Sequence, residues 1–389
     1  TPSPSPSPTY TPGPNPPPHV YRGFIAVQQF QAGDGPSDVA TGDFNGDGAS
    51  DIATANYNDD TVSVLIGNGD GDGTFRERVN YGVGDQPYGV AAGDFNGDGD
   101  PDIATANYND DTVSVLIGNG DGTFKATVNY GAGDGSYDVA IDDFNGDGKP
   151  DIATANCNSD NVSVLLGNGD GTFQAAANFN VGDRPYSVAA GDFNGDGDLD
   201  IAATNYGDAN VSVLIGNGDG TFQPAANFGV GDGPFGVAVS DFNHDGRPDI
   251  TTANNGSDNV SVLIGNGDGT FLVAVNYDAG VQPRGIAAGD FNRDGNPDIA
   301  VANDDSDNVS VLIGNGDGTF KAAVNYDAGI EPYGVAAGDF NGDGKPDIVT
   351  ANRSTDNVSV LTGNGDGTFQ VAVNYGAGDG PIGVTTADF

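Results

Sequence analysis

From Phe24 to Phe389 short apolar runs alternate with clusters of Gly, Asn, Asp and Pro, and the pattern returns at a fixed period. In the second copy the runs are Gly89–Phe95 (GVAAGDF), Asp102–Asn107 (DIATAN), Val113–Gly118 (VSVLIG) and Phe124–Tyr130 (FKATVNY). Each is short, β-branched or alternating, and closed by turn residues, which predicts four strands per copy. The Asn-Gly of GNGDGTF predicts a tight hairpin between the third and fourth. Small residues in the first run (Val90, Ala91, Ala92, Gly93) suit a crowded inner position, and the Phe of each Asp-Phe pair is expected to fill the space between sheets.

The string DFNGDG, or a close variant, begins at Asp43, Asp94, Asp143, Asp192, Asp241, Asp290 and Asp339. The first spacing is 51 residues and the rest are 49; two extra residues in the turn Gly67–Phe75 (GNGDGDGTF) account for the difference. Self-similarity at this period points to units that bury their faces only against neighbours. Four strands in about 49 residues is the size of one propeller blade. The expected fold is therefore all-β: a seven-bladed β-propeller of four-stranded blades, with an extended Pro-rich N-terminal tail.

The ends carry a surplus. Phe24–Phe30 (FIAVQQF) reads as a fourth strand and Gly383–Phe389 (GVTTADF) as a first strand. Either one replaces another in closing the ring, or both pair with a neighbouring molecule, because open edges invite strand addition. Residues 1–20 are rich in Pro, Ser and Thr and read as a linker or stalk; 21–389 form the propeller. With no Met and no signal peptide, the chain is expected to be a mature or excised piece of a longer precursor.

Composition sharpens the class. The 389 residues include 56 acids against 12 bases, a formal charge of −44. That excludes nucleic acid and anionic membranes as electrostatic partners. Abundant Asp and Gly argue against helix, while 36% hydrophobic residues argue against disorder. No run of about 18 apolar residues exists, so no membrane-spanning helix is expected. A single cysteine, Cys157, excludes an internal disulfide.

The chemistry lies in the loop D-F-N-G-D-G-x-x-D. Its oxygen-bearing positions are Asp43, Asn45, Asp47 and Asp51 in the first copy and Asp94, Asn96, Asp98 and Asp102 in the second. They are Asp143, Asn145, Asp147 and Asp151 in the third, and Asp192, Asn194, Asp196 and Asp200 in the fourth. The fifth has Asp241, Asn243, Asp245 and Asp249, and the sixth Asp290, Asn292, Asp294 and Asp298. The seventh has Asp339, Asn341, Asp343 and Asp347. Oxygens at positions 1, 3 and 5 with Gly at 6 match the first half of an EF-hand loop, with the last acid at 9 instead of 12. An all-oxygen set of this charge favours Ca²⁺ over softer metals and over Mg²⁺. A metal-free polar turn would not need three acids side by side, since like charges repel.

On these loops and the DIATAN-type strand that follows them, the units resemble the FG-GAP/VCBS repeats of integrin-like propellers over about Phe24–Phe389. The resemblance implies one structural Ca²⁺ per loop, about seven in all, at one face of the ring. This chain departs by ending its second strand in Ala-Asn rather than Gly-Ala-Pro. The second recurrent string, GNGDGTF, reads as a hairpin or as a weaker ion site, being faintly similar to the nonapeptide β-roll calcium repeat.

On the opposite face the loops are expected to present Tyr57, Tyr108 and Tyr206, with Tyr88, Tyr137, Tyr186, Phe235 and Tyr333 between blades. Such rings either stack on a sugar or cap the inter-blade core. Fungal lectins of the resembled family bind sugars between blades, which implies a lectin alternative. Catalysis finds little support: His19 and His244 cannot assemble a Ser-His-Asp or Cys-His set, and Cys157 stands where sister loops have Tyr. Sequons occur at Asn161, Asn210, Asn259, Asn308 and Asn357, and at Asn255 and Asn352. The expected function is a non-enzymatic, extracellular, calcium-stabilised module of structure or adhesion. Its expected partner is itself (through tail and surplus strands), a cell-surface protein or a glycan; an accessory domain of a secreted hydrolase is a further alternative.

Overall fold

The structure, a computed structural model, describes residues 30–68 and 74–387. The Pro-rich stretch, the start of the expected N-terminal strand (24–29) and residues 388–389 lie outside these. All the sheets are four-stranded and antiparallel, one per repeat, with strand order following chain order. No helix occurs among the described residues, and none long and apolar enough to cross a membrane is present among them.

In blade 2 the strands are Pro87–Gly93, Asp102–Asn107, Thr112–Leu116 and Val128–Gly131. The first strands of successive blades pack on one another around the axis, and the fourth strands are largely exposed at the rim. The second strand is buried along its whole length, because both its faces meet sheets. The fourth strand starts four residues later than its sequence suggests. Phe124 makes only an isolated bridge to Gly118, and Lys125–Thr127 stand outside the ladder.

The Phe of each acidic loop fills the space between sheets, as its pattern predicts. Phe44 is 1% exposed and packs with Val90, Ile103, Leu116 and Phe124 of the next blade. Burying such a side chain is worth about 1.5–3 kcal/mol. Between the inner strands Pro332–Gly338 of blade 7 and Pro36–Gly42 of blade 1 runs residues 382–387, which pair in no ladder.

A buried polar relay explains why the second strand ends in Asn. Asn156 Nδ2 donates to Ser163 Oγ at 2.8 Å, and Ser163 Oγ donates to Asn178 Oδ1 at 2.8 Å. Gly133 N in the inter-blade loop also donates to Ser163 Oγ. The relay links strands two, three and four of a blade to the incoming chain. A Cβ on Gly133 would lie 2.5 Å from Asn161 Oδ1, so only glycine lets the loop come this close.

Candidate functional site: acidic loops and an aromatic axis

Each acidic loop is wound by its own backbone N–H groups. In blade 1, Gly48 N donates to Asp43 Oδ2 at 2.8 Å, Asp47 N to Asn45 Oδ1 at 2.8 Å, and Ala49 N to Asp47 Oδ1 at 3.0 Å. The turn needs left-handed backbone at positions 4 and 6, where Gly46 and Gly48 have φ of 70° and 87°. His244 and Arg293 hold position 4 in blades 5 and 6 at φ 60° and 62°, an exception that costs about 1–2 kcal/mol each.

The acid at position 9 faces inward. Asp102 is fully buried and accepts from Phe95 N at 2.9 Å and from Gly118 N at 2.7 Å. Burial pushes its carboxyl up to about 6 against the pull of those two bonds, and the Asp98 and Asp94 carboxylates push the same way. Among the described residues, bases pair with position 5 in three blades: Lys149 to Asp147 at 3.0 Å, Arg247 to Asp245 at 3.7 Å and Lys345 to Asp343 at 2.9 Å.

Among the described residues no three acidic, His or Cys side chains are grouped as a metal site. The predicted ligands share one loop, but their oxygens turn to backbone N–H groups instead of a common point. The donor chemistry still fits a hard divalent cation. Every donor is oxygen, most of the carboxylate oxygens accept a single hydrogen bond and so keep a lone pair, and the crowded negative charge of four loops has no ion-pair partner among the described residues.

The GNGDGTF hairpin fits the turn reading. Asp121 Oδ1 accepts from Thr123 Oγ1 at 2.5 Å and from Thr123 N at 3.0 Å, and those bonds hold its carboxyl below the usual range.

The predicted aromatic residues meet at the axis. Tyr88 stacks on Tyr137 with centroids 4.4 Å apart, Tyr186 on Phe235 at 4.9 Å, and the Tyr137 and Tyr333 hydroxyls lie 3.2 Å apart. Tyr57, Tyr108 and Tyr206 buttress this group edge-on, against Tyr88 and Tyr186. The rings thus fill one end of the axis and leave a cavity of about 180 Å³, lined also by Asp38, Asp138 and Arg284. Burial raises the Tyr137 and Tyr88 phenols well above their ordinary value, so both are neutral.

Blade 6 breaks the symmetry here, a feature sequence reasoning missed. Arg284 replaces the inner-strand ring and lies 4.6 Å over Tyr333 and 5.1 Å over Phe235. Its Nε donates to Asp304 Oδ2 at 2.6 Å. Asp304 is 5% exposed, and neither its Oδ1 nor Nδ2 of the 8%-exposed Asn255 has a partner among the described residues. Arg284 and Asp304 stand where blade 2 has Tyr88 and Tyr108, and the coincidence of the two replacements in one copy is the signal that could have found them.

Other candidates are bland. Cys157 is buried, and burial pushes its thiol up to about 11, far from a nucleophile's range. His244 Nε2 lies 2.8 Å from Asn296 Oδ1; His19 is outside the described residues. The sequon asparagines Asn161 and Asn357 accept from Asn156 and Asn352, and Asn352 is itself fully buried.

Similar proteins agree on the architecture. The lectin of Agrocybe aegerita described as recognising non-reducing terminal N-acetylglucosamine has 22% identity and TM-score 0.56, over 87% of this chain and 94% of that one. The Vibrio cholerae biofilm matrix protein Bap1 has 15% identity and TM-score 0.58, over 92% and 83%. The periplasmic gluconolactonase PpgL of Pseudomonas aeruginosa has 16% identity and TM-score 0.58, over 76% and 86%. At these identities the likeness is one of fold. A sequence comparison with curated proteins returns no match. A family profile described as FG-GAP-like repeat matches residues 43–105, 94–154, 143–203, 192–252, 241–301, 290–350 and 339–389. The chain, tiled from residue 43 to residue 389 by these seven overlapping matches, belongs to the FG-GAP-like repeat family.

Proposed function

We propose that this protein is a non-enzymatic, calcium-stabilised propeller serving structure or adhesion outside the cell. The observation that carries the reading is the sevenfold return of one acidic loop at one end of the propeller, opposite an axis end filled by the chain's own rings. In each loop the ligands would be the side chains at positions 1, 3, 5 and 9 (Asp43, Asn45, Asp47 and Asp51 in blade 1), with the position-7 carbonyl. A bound Ca²⁺ supplies positive charge where like charges crowd. The chain's own part is to hold position 9 by two backbone N–H groups, so that the loop is tied to its hairpin. Extracellular calcium, in the millimolar range, suits loops of modest affinity. The partner on this reading is another copy or a surface protein or glycan. Chelation tests it: removal of Ca²⁺ lowers the melting temperature, and an unchanged melt refutes the structural metal.

A second reading, sugar binding, is favoured by one observation. Asp304 Oδ1 and Asn255 Nδ2 are a buried acceptor and donor without partners among the described residues, on the aromatic side of blades 5 and 6. Such a pair beside rings suits a vicinal diol. Glycan-array binding lost in Asp304→Ala supports it; binding that survives, or none at all, counts against it.

A further inference from the structure

Two inner-strand positions that line the axial cavity depart from the repeat, and both departures add negative charge. The residue after the ring position is Gly89, Gly236, Gly285 and Gly334 in four blades and Ser187 in a fifth. In blades 1 and 3 it is Asp38 and Asp138. Both are half-buried, and both line the cavity of about 180 Å³. The inner strand does not require them, since its other copies form without a carboxylate there.

Neither acid has a counter-ion. Among the described residues no base pairs with Asp38 or Asp138. Asp38 Oδ2 accepts from Val90 N at 3.0 Å, and Asp138 Oδ2 from Val188 N at 3.0 Å and Ser187 Oγ at 2.8 Å. Arg284, which also lines the cavity, is committed to Asp304 at 2.6 Å. Burial raises both carboxyls, and the Asp138 charge adds to the rise in Asp38. Carboxylates held at this depth without a counter-ion cost the fold stability, and such groups concentrate at binding sites.

The rest of the wall is aromatic. Tyr88, Tyr137, Tyr186, Phe235 and Tyr333 line the same cavity, and Ser37 takes the ring position in blade 1, where the volume of a ring is left open. This ring set already accommodates a cation: the Arg284 guanidinium lies 4.6 Å over Tyr333 and 5.1 Å over Phe235. Ring faces attract positive charge through their quadrupole but offer no lone pair. They suit an ion that carries alkyl groups, whereas a metal ion needs several oxygen ligands.

We propose that the axial cavity binds a small organic cation, an alkylated ammonium ion, held by the Asp38 and Asp138 carboxylates against the ring faces. At about 180 Å³ the cavity admits a small free ion and no folded chain. The inference goes beyond the proposed function and involves neither the acidic loops nor the unpartnered atoms of Asp304 and Asn255.

The test is calorimetric titration of choline chloride into the full chain. Ca²⁺ and ionic strength are held constant, so that diffuse attraction to a chain of charge −44 cancels. One choline per chain is expected, and dimethylbutanol, its uncharged carbon analogue, is expected to bind at least about tenfold more weakly. Asp38→Gly with Asp138→Ser introduces residues that sister blades carry at this position, and is expected to weaken choline binding at least about tenfold. In the unmutated chain the choline methyl proton resonance is expected to move upfield on binding, because ring faces shield it. No saturable binding, equal binding of dimethylbutanol, undiminished binding by the double variant or an unshifted methyl resonance would each overturn the proposal.

Discussion

Asp102 accepts the Gly118 N–H at 2.7 Å across sixteen residues, and so ties its acidic loop to the hairpin of the same blade. Its other oxygen takes Phe95 N at 2.9 Å. Asp102→Asn turns one acceptor into an NH₂ group facing an N–H, leaving a buried donor unsatisfied. A loss of about 1–3 kcal/mol is expected in urea unfolding. Asp121→Asn, at an exposed hairpin position, serves as the comparison and is expected to lose less. Equal losses would mean that the tie to Gly118 has no special weight.

Blade 4 lacks a bond that its sisters make. Asp111 Oδ1 accepts from Gly135 N, Asp258 Oδ1 from Gln282 N and Asp356 Oδ1 from Gly380 N. The counterpart in blade 4 is Ala209, which also sits at φ 52°, a conformation Asp tolerates better than Ala. Ala209→Asp restores an acceptor for Gly233 N and is expected to stabilise the chain by about 1 kcal/mol. A melting temperature that falls in this variant contradicts the assignment.

Asp38 lines the axial cavity and accepts from Val90 N at 3.0 Å. Burial pushes its carboxyl up to about 7, against the pull of the Val90 and Val39 N–H groups and with a push from Asp138. Because an unfolded Asp titrates near 4, at roughly 3.9, the folded chain binds an extra proton between that pH and about 7. The stabilisation is complete below the unfolded value and is lost as pH rises through the folded one. Asp38→Asn is therefore expected to flatten that part of the stability–pH profile, read as melting temperature from pH 5 to 8. An unaltered slope sinks the attribution.

Blade number, strand order and the acidic loops were legible because the repeat states them seven times. The role of each loop Phe followed from one apolar side chain recurring among polar neighbours, and Phe44 on Phe124 bears it out. The start of the fourth strand was misplaced because Phe124 is apolar for inter-blade packing, whereas its pairing is a single bridge. The relay of Asn156, Ser163 and Asn178 was hidden because small polar residues in strands read as surface, and only three-dimensional pairing shows them satisfied indoors. The surplus first strand was legible in GVTTADF, and residues 382–387 do lie between blades 7 and 1; whether they replace an inner strand or add to the seven depends on ring closure, which no local pattern encodes.

The claim that most needs a direct measurement is that the acidic loops bind calcium and hold the blades. Calorimetric titration of Ca²⁺ into chelator-treated full-length protein, with the melting temperature followed in parallel, addresses it. The account predicts close to one ion per loop, seven loops in all, with a rise in melting temperature that tracks occupancy. No heat of binding and a melt indifferent to millimolar Ca²⁺ would contradict it.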